Sequence, residues 1–258
     1  DPVGPYCEYD APVTLTGVDP GGLWSGTGIT DPLLGTFHPD SAGPGMHTIV
    51  YTIGSGICTY TGEDSIEVIL PDDPSFAYAP DTYCLTDADP SPAIAGLAGG
   101  NFSGSSGLSI DPTTGIIDLD ASTTGVHAIT YTTGGQCPTD STFLVTINGT
   151  PGVDFLGLDP GYCIDAASAT LTGTPVGGVF SGQGISGSTF DPAVAGIGGP
   201  YTITCDYTDQ GGCVNTVTHD VVVYDLPILS IDNLDALYCL EGTSVSLAGT
   251  PAGGTFSG

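Results

Sequence analysis

A four-fold repeat is the feature that most constrains how this chain can fold. The motif Gly-Gly-x-aromatic-Ser-Gly places its aromatic residue at Trp24, Phe102, Phe180 and Phe256, so the spacings are 78, 78 and 76 residues. A fixed period of this size predicts a string of similar small domains. We therefore divide the chain into four segments, which are repeat 1 (1–71), repeat 2 (72–151), repeat 3 (152–227) and a partial repeat 4 (228–258).

Each repeat of about 78 residues has the pattern of a β-sandwich. The chain contains 41 Gly and 21 Pro, which favour short strands and many turns. Alternating apolar residues such as Ile66 and Val68 indicate half-buried strands. About seven short strands in each repeat predict an all-β fold of tandem Ig-like β-sandwiches. Because the linkers at Pro71 and Pro151 are short, we expect the sandwiches to follow one another in an extended rod.

The start of repeat 1 differs from the starts of the later repeats. Repeats 2, 3 and 4 each begin with a predicted strand, at 75–79, 153–156 and 228–231, whereas repeat 1 has only six residues before Cys7. We therefore expect the first strand of repeat 1 to precede residue 1 in a longer polypeptide.

The charge balance excludes several functions. The chain has no Lys or Arg and 29 acidic residues, which give a net charge of -29. Without cationic side chains it cannot neutralise phosphates, so nucleic-acid binding and polybasic membrane contact are excluded. No apolar run is long enough for direct membrane insertion. Salt or divalent cations would relieve the like-charge repulsion, which predicts a saline exterior as the working environment.

The cysteines follow the repeat period. The sequence predicts one disulfide in each complete repeat, namely Cys7–Cys58, Cys84–Cys137 and Cys163–Cys213, with spacings of 51, 53 and 50 residues. Their regular spacing without a C-x-x-C motif is typical of structural disulfides in an oxidising compartment.

Two cysteines do not fit these pairs. Cys205 occupies the strand position that Tyr51 and Tyr131 fill in the other repeats, which predicts a buried free thiol. Cys239 repeats the first cysteine of a repeat, and its partner is expected to lie outside this sequence. A Cys205–Cys239 bridge is the alternative.

One run of residues resembles a known family. From Leu171 the chain reads Leu-Thr-Gly-Thr-Pro-x-Gly-Gly-x-Phe-Ser-Gly-x-Gly-Ile, followed by Thr-Phe-Asp-Pro and then Gly-Cys. This run resembles the tandem Ig-like or PKD-like repeats of gliding-motility-associated surface proteins of Bacteroidota, of which the SprB-type mobile adhesin is one. Repeat 2 looks like a sister repeat. The resemblance implies export by type IX secretion and display on the bacterial outer surface.

Neither the glycine-rich motif nor the histidines of the sequence indicate a catalytic site. Residues 182–187 match G-x-G-x-x-G, but the following Phe-Asp-Pro predicts a strand and a turn instead of a helix, so dinucleotide binding is rejected. His47 and His127 share one repeat position with Tyr201, which predicts a strand-surface residue; His38 and His219 complete the histidines. We therefore expect that the protein is not an enzyme.

Calcium is the one ligand that the sequence suggests, although no cofactor is required. Asp87-x-Asp89 and Asp118-x-Asp120 resemble the start of calcium-binding loops, but neither run has the Gly and Glu that complete such a loop. Aspartates in turns also cap backbone amides, which is the alternative explanation. Candidate glycosylation sites are Asn101 and Asn148 in sequons, and Ser41, Ser65 and Ser141 in Asp-Ser-x patterns.

The sequence thus predicts a structural repeat segment of a secreted surface adhesin or filament, which acts as a disulfide-stabilised rod in gliding motility or adhesion. Its expected partners are neighbouring repeats of the same chain, and surface polysaccharide or other filament subunits are further candidates. Two alternatives remain. The chain could be the protomer of a self-assembling extracellular filament, or a spacer in a secreted hydrolase or carbohydrate-binding protein.

Overall fold

A computed structural model describes residues 4–257, which form an almost entirely β structure. The chain divides into two compact units, Asp1–Gly149 and Thr150–Gly258. The first unit contains repeats 1 and 2, and the second contains repeat 3 and the partial repeat 4. Three buried apolar cores are present in the described residues, and each lies within a single repeat.

Repeat 1 contains two sheets and one helical turn. Its elements are β1 (Tyr6–Cys7), β2 (Val13–Thr14), β3 (Leu23–Gly26), β4 (Ile29–Asp31), β5 (Thr36–Phe37), α1 (Pro39–Ala42), β6 (Gly45–Ser55) and β7 (Cys58–Ile69). The larger sheet has the order β1-β7-β6-β3, and the smaller sheet has the order β2-β5-β4.

Repeat 2 has a similar four-stranded sheet, but its second layer consists of two separate strand pairs. Its elements are β8 (Phe76–Ala77), β9 (Thr82–Cys84), β10 (Ala93–Ile94), β11 (Asn101–Gly104), β12 (Ser109–Ile110), β13 (Ile117–Asp118), β14 (Gly125–Thr132) and β15 (Asp140–Asn148). The four-stranded sheet has the order β11-β14-β15-β9, and the pairs β10-β8 and β12-β13 complete the repeat.

Repeat 3 has the fullest set of strands. Its elements are β16 (Asp154–Leu156), β17 (Gly161–Cys163), β18 (Ala169–Thr170), β19 (Thr172–Thr174), β20 (Val179–Ser181), β21 (Ile185–Ser186), β22 (Thr189–Phe190), α2 (Pro192–Ala195), β23 (Gly198–Thr208) and β24 (Val214–Tyr224). The sheets have the orders β17-β24-β23-β20, β18-β22-β21 and β16-β19. Repeat 4 contributes β25 (Ser230–Asp232) and β26 (Ala248–Thr250), which pair with each other.

The strand pairing confirms an Ig-like fold. In every complete repeat the last two long strands form an antiparallel hairpin, and the short strand that ends in the first cysteine pairs in parallel with the last strand. A two-layer sandwich with this four-stranded sheet is an immunoglobulin-like arrangement. Alternate residues of the hairpins point into the core, for example Val145 and Ile147 in repeat 2, which are almost fully buried.

Each position of the Gly-Gly pair in the repeated motif requires glycine for a different structural reason. In repeat 2 the first glycine, Gly99, has φ +92, a left-handed conformation that favours glycine. The second, Gly100, has no room for a side chain, since a Cβ there would lie 2.1 Å from the carbonyl oxygen of Thr132. The buried Tyr131 holds this turn, because its hydroxyl accepts from the Gly100 amide at 2.9 Å and donates to the Leu97 carbonyl at 2.6 Å.

The proline after the Phe-Asp step begins a helical turn, which corrects the prediction that this segment ends as strand and turn. Asp191 caps α2, and its side chain accepts hydrogen bonds from the amides of Ala193 and Val194. Proline is tolerated at the first position of a helix because no intrahelical donor is needed there. The turn is only four residues long and is not the helix of a βαβ unit, so the argument against dinucleotide binding still holds.

Candidate functional site: the disulfide junction between repeats 1 and 2

The two cysteines of repeat 1 lie near opposite ends of its last strand. Cys7 pairs in register with Ile69 at the end of β7, whereas Cys58 begins the same strand. Eleven residue steps along a strand correspond to roughly 36 Å. A disulfide requires Cα atoms within about 7 Å of each other. Cys7 and Cys58 therefore cannot be bonded, and the predicted Cys7–Cys58 pair is wrong.

The disulfide of repeat 1 instead reaches repeat 2. Cys7 is bonded to Cys137, with 5.5 Å between their Cα atoms and 130 residues between them in sequence. Both half-cystines are buried, and Cys137 is only 1% exposed. The predicted Cys84–Cys137 pair is therefore wrong as well. Cys7 lies beside the end of β7, where the chain leaves repeat 1, and the bond joins it to the β14–β15 hairpin turn of repeat 2.

The other repeats place their cysteines in the same way. Cys163 pairs in register with Tyr224 at the end of β24, whereas Cys213 immediately precedes that strand. Cys84 and Cys213 each take part in a disulfide bond. Within residues 4–257, Cys58 and Cys163 carry free, exposed thiols. The predicted Cys163–Cys213 pair is therefore wrong.

Cys205 is a free thiol that is 0% exposed in the core of repeat 3, the environment that the sequence predicts for it. Burial raises the pKa of this thiol, and the nearby charge of Asp206 raises it further. Cys239 is free and exposed in the described part of the chain, so the alternative Cys205–Cys239 bridge is not formed.

Hydrogen bonds reinforce the disulfide between repeats 1 and 2. The Tyr9 hydroxyl donates to the Pro138 carbonyl at 2.9 Å, directly beside the disulfide. The linker is also fastened to the repeat 2 hairpin, since the Asp72 amide donates to the Cys137 carbonyl at 2.8 Å and the Ser141 hydroxyl donates to the Pro74 carbonyl at 2.6 Å. The sequence did not point to Tyr9 or Pro138, because neither belongs to a repeated motif.

The junction is packed closely around Asp72. The Thr139 hydroxyl donates to the Asp72 carbonyl, and a Cβ on Gly135 would lie 2.4 Å from Asp72 Oδ2. Among the described residues, Asp72 Oδ2 is buried without a hydrogen-bond partner. The neighbouring Asp73 accepts from the Ser75 hydroxyl and amide, which lowers the pKa of its carboxyl below the ordinary value.

Two of the four candidate calcium ligands, Asp87 and Asp118, cap local backbone amides, whereas Asp89 bonds an amide distant in sequence. Asp87 accepts from the Cys84 amide at 2.7 Å, Asp89 from the Leu119 amide at 3.0 Å and Asp118 from the Ala121 amide at 3.0 Å; Asp120 is exposed. In residues 4–257 no three His, Cys, Asp or Glu side chains come together as metal ligands. For Asp87 and Asp118 the contacts are those of the alternative explanation, in which aspartates stabilise turns.

The histidines have structural partners. His127 is buried, its Nε2 lies 2.7 Å from the Thr123 carbonyl, and its Nδ1 lies 3.2 Å from the Ser105 hydroxyl. The expectation of a surface position is therefore wrong for His127. His47 makes the same contact with the Gly43 carbonyl at 2.7 Å. His219 stacks on Phe155, and His38 lies 3.7 Å from Asp40.

The candidate glycosylation sites differ in their surroundings. Ser41, Ser65 and Asn101 are exposed, and Asn148 is half-buried at the end of β15. Ser141 is half-buried and its hydroxyl is used in the junction, so a glycan there would displace the contact with Pro74. Glycosylation at the other four residues stays a prediction.

The disulfides indicate an oxidising environment outside the cytosol. In the part of the chain that the structure describes, no helix has the length and apolar character needed to cross a bilayer. The chain is thus a disulfide-bonded β-sandwich repeat protein suited to an oxidising compartment.

Comparisons with known proteins find similarity only among solved structures. No family model matches the sequence, and no curated protein matches it. Domains EC21-23 of human cadherin-23 share 10% identity at a TM-score of 0.35, with 84% of this chain and 97% of that chain covered. A Ca²⁺-stabilized, ice-binding adhesin of an Antarctic bacterium shares 12% identity at a TM-score of 0.28, with 87% and 72% covered.

A SusE-like surface-located polysaccharide-binding protein of Bacteroides thetaiotaomicron shares 14% identity at a TM-score of 0.28, with 73% of this chain and 38% of that chain covered. Similarities of this size carry no functional argument. The assignment of the fold rests on the strand pairing of the chain itself.

Proposed function

We propose that this chain is a structural segment of a secreted bacterial surface adhesin or filament, in which β-sandwich repeats in series carry tension. The observation that supports this proposal is the Cys7–Cys137 bond between repeats 1 and 2. A disulfide inside each sandwich would stabilise that sandwich alone. A disulfide between successive sandwiches ties them together, so a pull along the chain is borne by a covalent bond.

The position of the bond supports a mechanical role. Cys7 lies beside the end of β7, where the chain continues into the linker, and Cys137 lies in the hairpin turn of the next repeat. Tension that enters before Cys7 can therefore pass to repeat 2 without loading the β6–β7 hairpin. The bond bypasses the core of repeat 1, which would otherwise be the element that unravels.

The resemblance of the Leu171 motif to SprB-type repeats adds a biological setting to this proposal. In that setting the segment is exported by type IX secretion, is displayed on the outer surface and serves adhesion or gliding motility. Neighbouring repeats would be its main partners, and surface polysaccharide or filament subunits are further candidates. We propose no catalytic role, because the four histidines and the aspartates Asp87, Asp89 and Asp118 make structural contacts.

Single-molecule stretching tests the mechanical proposal. With the Cys7–Cys137 bond intact, 130 residues cannot extend, which hides roughly 430–470 Å of contour length. We expect this length to appear only after a reductant is added. Each of the three incorrectly predicted pairs within repeats would hide roughly 170–190 Å, so the total hidden length does not distinguish the two pairings and the cysteine variants do.

The matched control is Cys7→Ser, which should release without a reductant the length that the Cys7–Cys137 bond alone hides, whereas the length closed by the disulfides of Cys84 and Cys213 stays hidden. Cys58→Ser should behave as the wild type, because its thiol is free. If the wild type extends fully under non-reducing conditions, or if Cys58→Ser extends further than the wild type, the proposal of a covalent bypass between repeats is wrong.

A further inference from the structure

The outer face of the four-stranded sheet in repeat 2 carries no charged side chain at its centre. Buried and outward residues alternate along β14 and β15, so that Ile129 and Val145 point into the core and their neighbours point away from it. Ser103 on β11 pairs with Thr130 and lies on the same outward side. We call the outward residues the neutral face, and they are Ser103, Val126, Ala128, Thr130, Thr142, Leu144 and Thr146.

The matching faces of repeats 1 and 3 carry carboxylates. The strand registers give the correspondence, since one pair occupies the same place in each of the three sheets, namely Ile49↔Asp64, Ile129↔Phe143 and Ile203↔His219. At the positions that correspond to the neutral face, the acidic residues are Glu63 and Glu67 in repeat 1 and Asp220 in repeat 3. Repeat 2 is therefore the complete repeat whose large sheet has an outer face without carboxylates at these seven positions.

The neutral face presents apolar side chains and hydroxyl groups side by side. Val126 is 66% exposed and Leu144 is 59% exposed, and the two are diagonal neighbours on adjacent strands. The hydroxyl oxygens of Thr130 and Thr142 lie 3.2 Å apart across the same two strands. A hydroxyl group both donates and accepts hydrogen bonds, so a row of hydroxyls can bond to an identical row. The neutral face is therefore chemically complementary to a second copy of itself.

The charge of the chain restricts where two copies can touch. The chain has a net charge of -29 and no Lys or Arg, so no carboxylate of one copy can be neutralised by a cationic side chain of another. Like charges that face each other across an interface oppose association. Two copies therefore meet with the least repulsion where both present a sheet face without carboxylates, and the neutral face meets this condition.

We propose that the neutral face of repeat 2 is a self-association surface, through which two copies of this chain pack sheet to sheet about a twofold axis. Leu144 and Val126 are buried in the contact, and Asp140 at the start of β15 stays in its solvated rim. Four strands of up to nine residues give a sheet face of roughly 550 Å² per copy. A total near 1,100 Å² lies at the low end of interface sizes, so the contact is weak and reversible.

Salt should strengthen this contact. The two copies repel each other through their net negative charges, and this repulsion is screened as the ionic strength rises. The packed residues themselves carry no charge that salt could screen. An interface held by opposite charges would show the reverse dependence, so the direction of the salt effect reports on the chemistry of the contact.

Sedimentation equilibrium of the full chain tests this surface. The exposed free thiols are first alkylated so that no disulfide forms between copies, and these are Cys58, Cys163 and Cys239. We expect a monomer–dimer equilibrium with a dissociation constant below about 1 mM in 1 M NaCl, and binding about tenfold weaker in 0.02 M NaCl.

Two variants place a charge on the neutral face. Leu144→Asp and Thr142→Glu should each weaken the dimer at least about tenfold, because two like charges are then brought into the contact. Each introduced residue already occupies the corresponding position of a folded sister repeat, as Asp220 and Glu63 do. The matched control is Thr218→Glu, which adds the same charge at the position of repeat 3 that corresponds to Thr142 and should change the dissociation constant by less than about twofold.

The proposal is overturned if the wild type stays monomeric at 1 mM in 1 M NaCl, if the dimer weakens as salt is added, or if Thr218→Glu weakens it as much as Thr142→Glu. Binding of a neutral oligosaccharide that Leu144→Asp abolishes, without dimerisation of the chain, would also overturn it. Circular dichroism of each variant establishes that the sandwich is folded. The stretching experiment reports on the Cys7–Cys137 bond within one molecule, so failure of either proposal leaves the other standing.

Discussion

The sulfur atoms of Cys7 and Cys137 are joined although the residues belong to successive repeats and lie 130 positions apart. Each cysteine is held in place by its own repeat, Cys7 by the parallel pairing of β1 with β7 and Cys137 by the β14–β15 connection. The bond therefore couples the unfolding of the two sandwiches. Either repeat can unfold completely only within a closed loop that includes most of the other.

Removal of this disulfide should destabilise both repeats together. In the chain-entropy model a loop of this length contributes about 5 kcal/mol to the free energy of unfolding. We expect Cys7→Ser and Cys137→Ser to lower the free energy of unfolding of residues 1–149 by similar amounts, up to that value, as measured by urea denaturation.

The double variant should be no less stable than either single variant, because the same bond is lost. Cys58→Ser is the control and should change stability by less than about 0.5 kcal/mol, since the thiol is free and exposed. Equal losses in Cys58→Ser and Cys7→Ser would contradict the observed pairing.

The hydroxyl of Tyr131 should contribute measurably to the stability of repeat 2. Tyr131→Phe removes the partner of the Gly100 amide and of the Leu97 carbonyl in a buried turn. Loss of a buried partner costs about 1–3 kcal/mol, so we expect a decrease of that size in thermal or urea unfolding. Tyr60→Phe is the control, because Tyr60 is 77% exposed, and it should have almost no effect.

The repeated motif could be interpreted from the sequence because its causes are local. A Gly-Gly pair before an aromatic residue predicts a tight turn next to a strand, and the conformations of Gly99 and Gly100 account for both glycines. The alternation of Ile66 and Val68 correctly predicted the buried face of β7, where both side chains are almost fully buried. These features depend only on backbone geometry and on the two-residue period of a strand.

The disulfide pairing could not be predicted, because it depends on the direction of strands that are distant in sequence. A spacing of about 51 residues repeats along the chain, and so does a spacing of about 130 residues, so the period fits both pairings equally well. The choice depends on the parallel pairing of Cys7 with Ile69, which places the first cysteine at the far end of β7 from Cys58.

The Asp111 carboxylate should stabilise its turn in a pH-dependent way. Its Oδ1 accepts from the Thr114 amide at 2.7 Å and from the Thr113 amide at 2.9 Å, and these bonds lower the pKa of the carboxyl. A lowered pKa in the folded state means that the contribution is complete above the ordinary pKa of an aspartate and is lost as the pH falls through the folded-state pKa.

We therefore expect Asp111→Asn to be less stable than the wild type at pH 7, and the difference to shrink as the pH falls below about 4. The comparison uses the difference between the two proteins, because protonation of the other acidic groups also changes the repulsion within the chain. Asp120→Asn removes an exposed charge from the same repeat and is the control. A difference that stays constant between pH 7 and pH 2 would contradict this role of Asp111.

The number and reactivity of free thiols distinguish the two disulfide maps. With the observed pairing, Cys58, Cys163, Cys205 and Cys239 are free, whereas one disulfide within each repeat would leave only Cys205 and Cys239. Alkylation of the non-reduced, denatured chain followed by mass spectrometry should therefore label four cysteines.

In the native chain the thiol of Cys205 should react much more slowly than those of Cys58, Cys163 and Cys239. It is buried, and its raised pKa keeps the nucleophilic thiolate scarce at pH 7–8. A rise in pH should accelerate labelling of the three exposed thiols first. Cys205→Ser should remove one label from the denatured chain and none from the native chain at short times. Two labels on the denatured wild type would mean that Cys58 and Cys163 are bonded, and the junction between repeats would then lose its covalent basis.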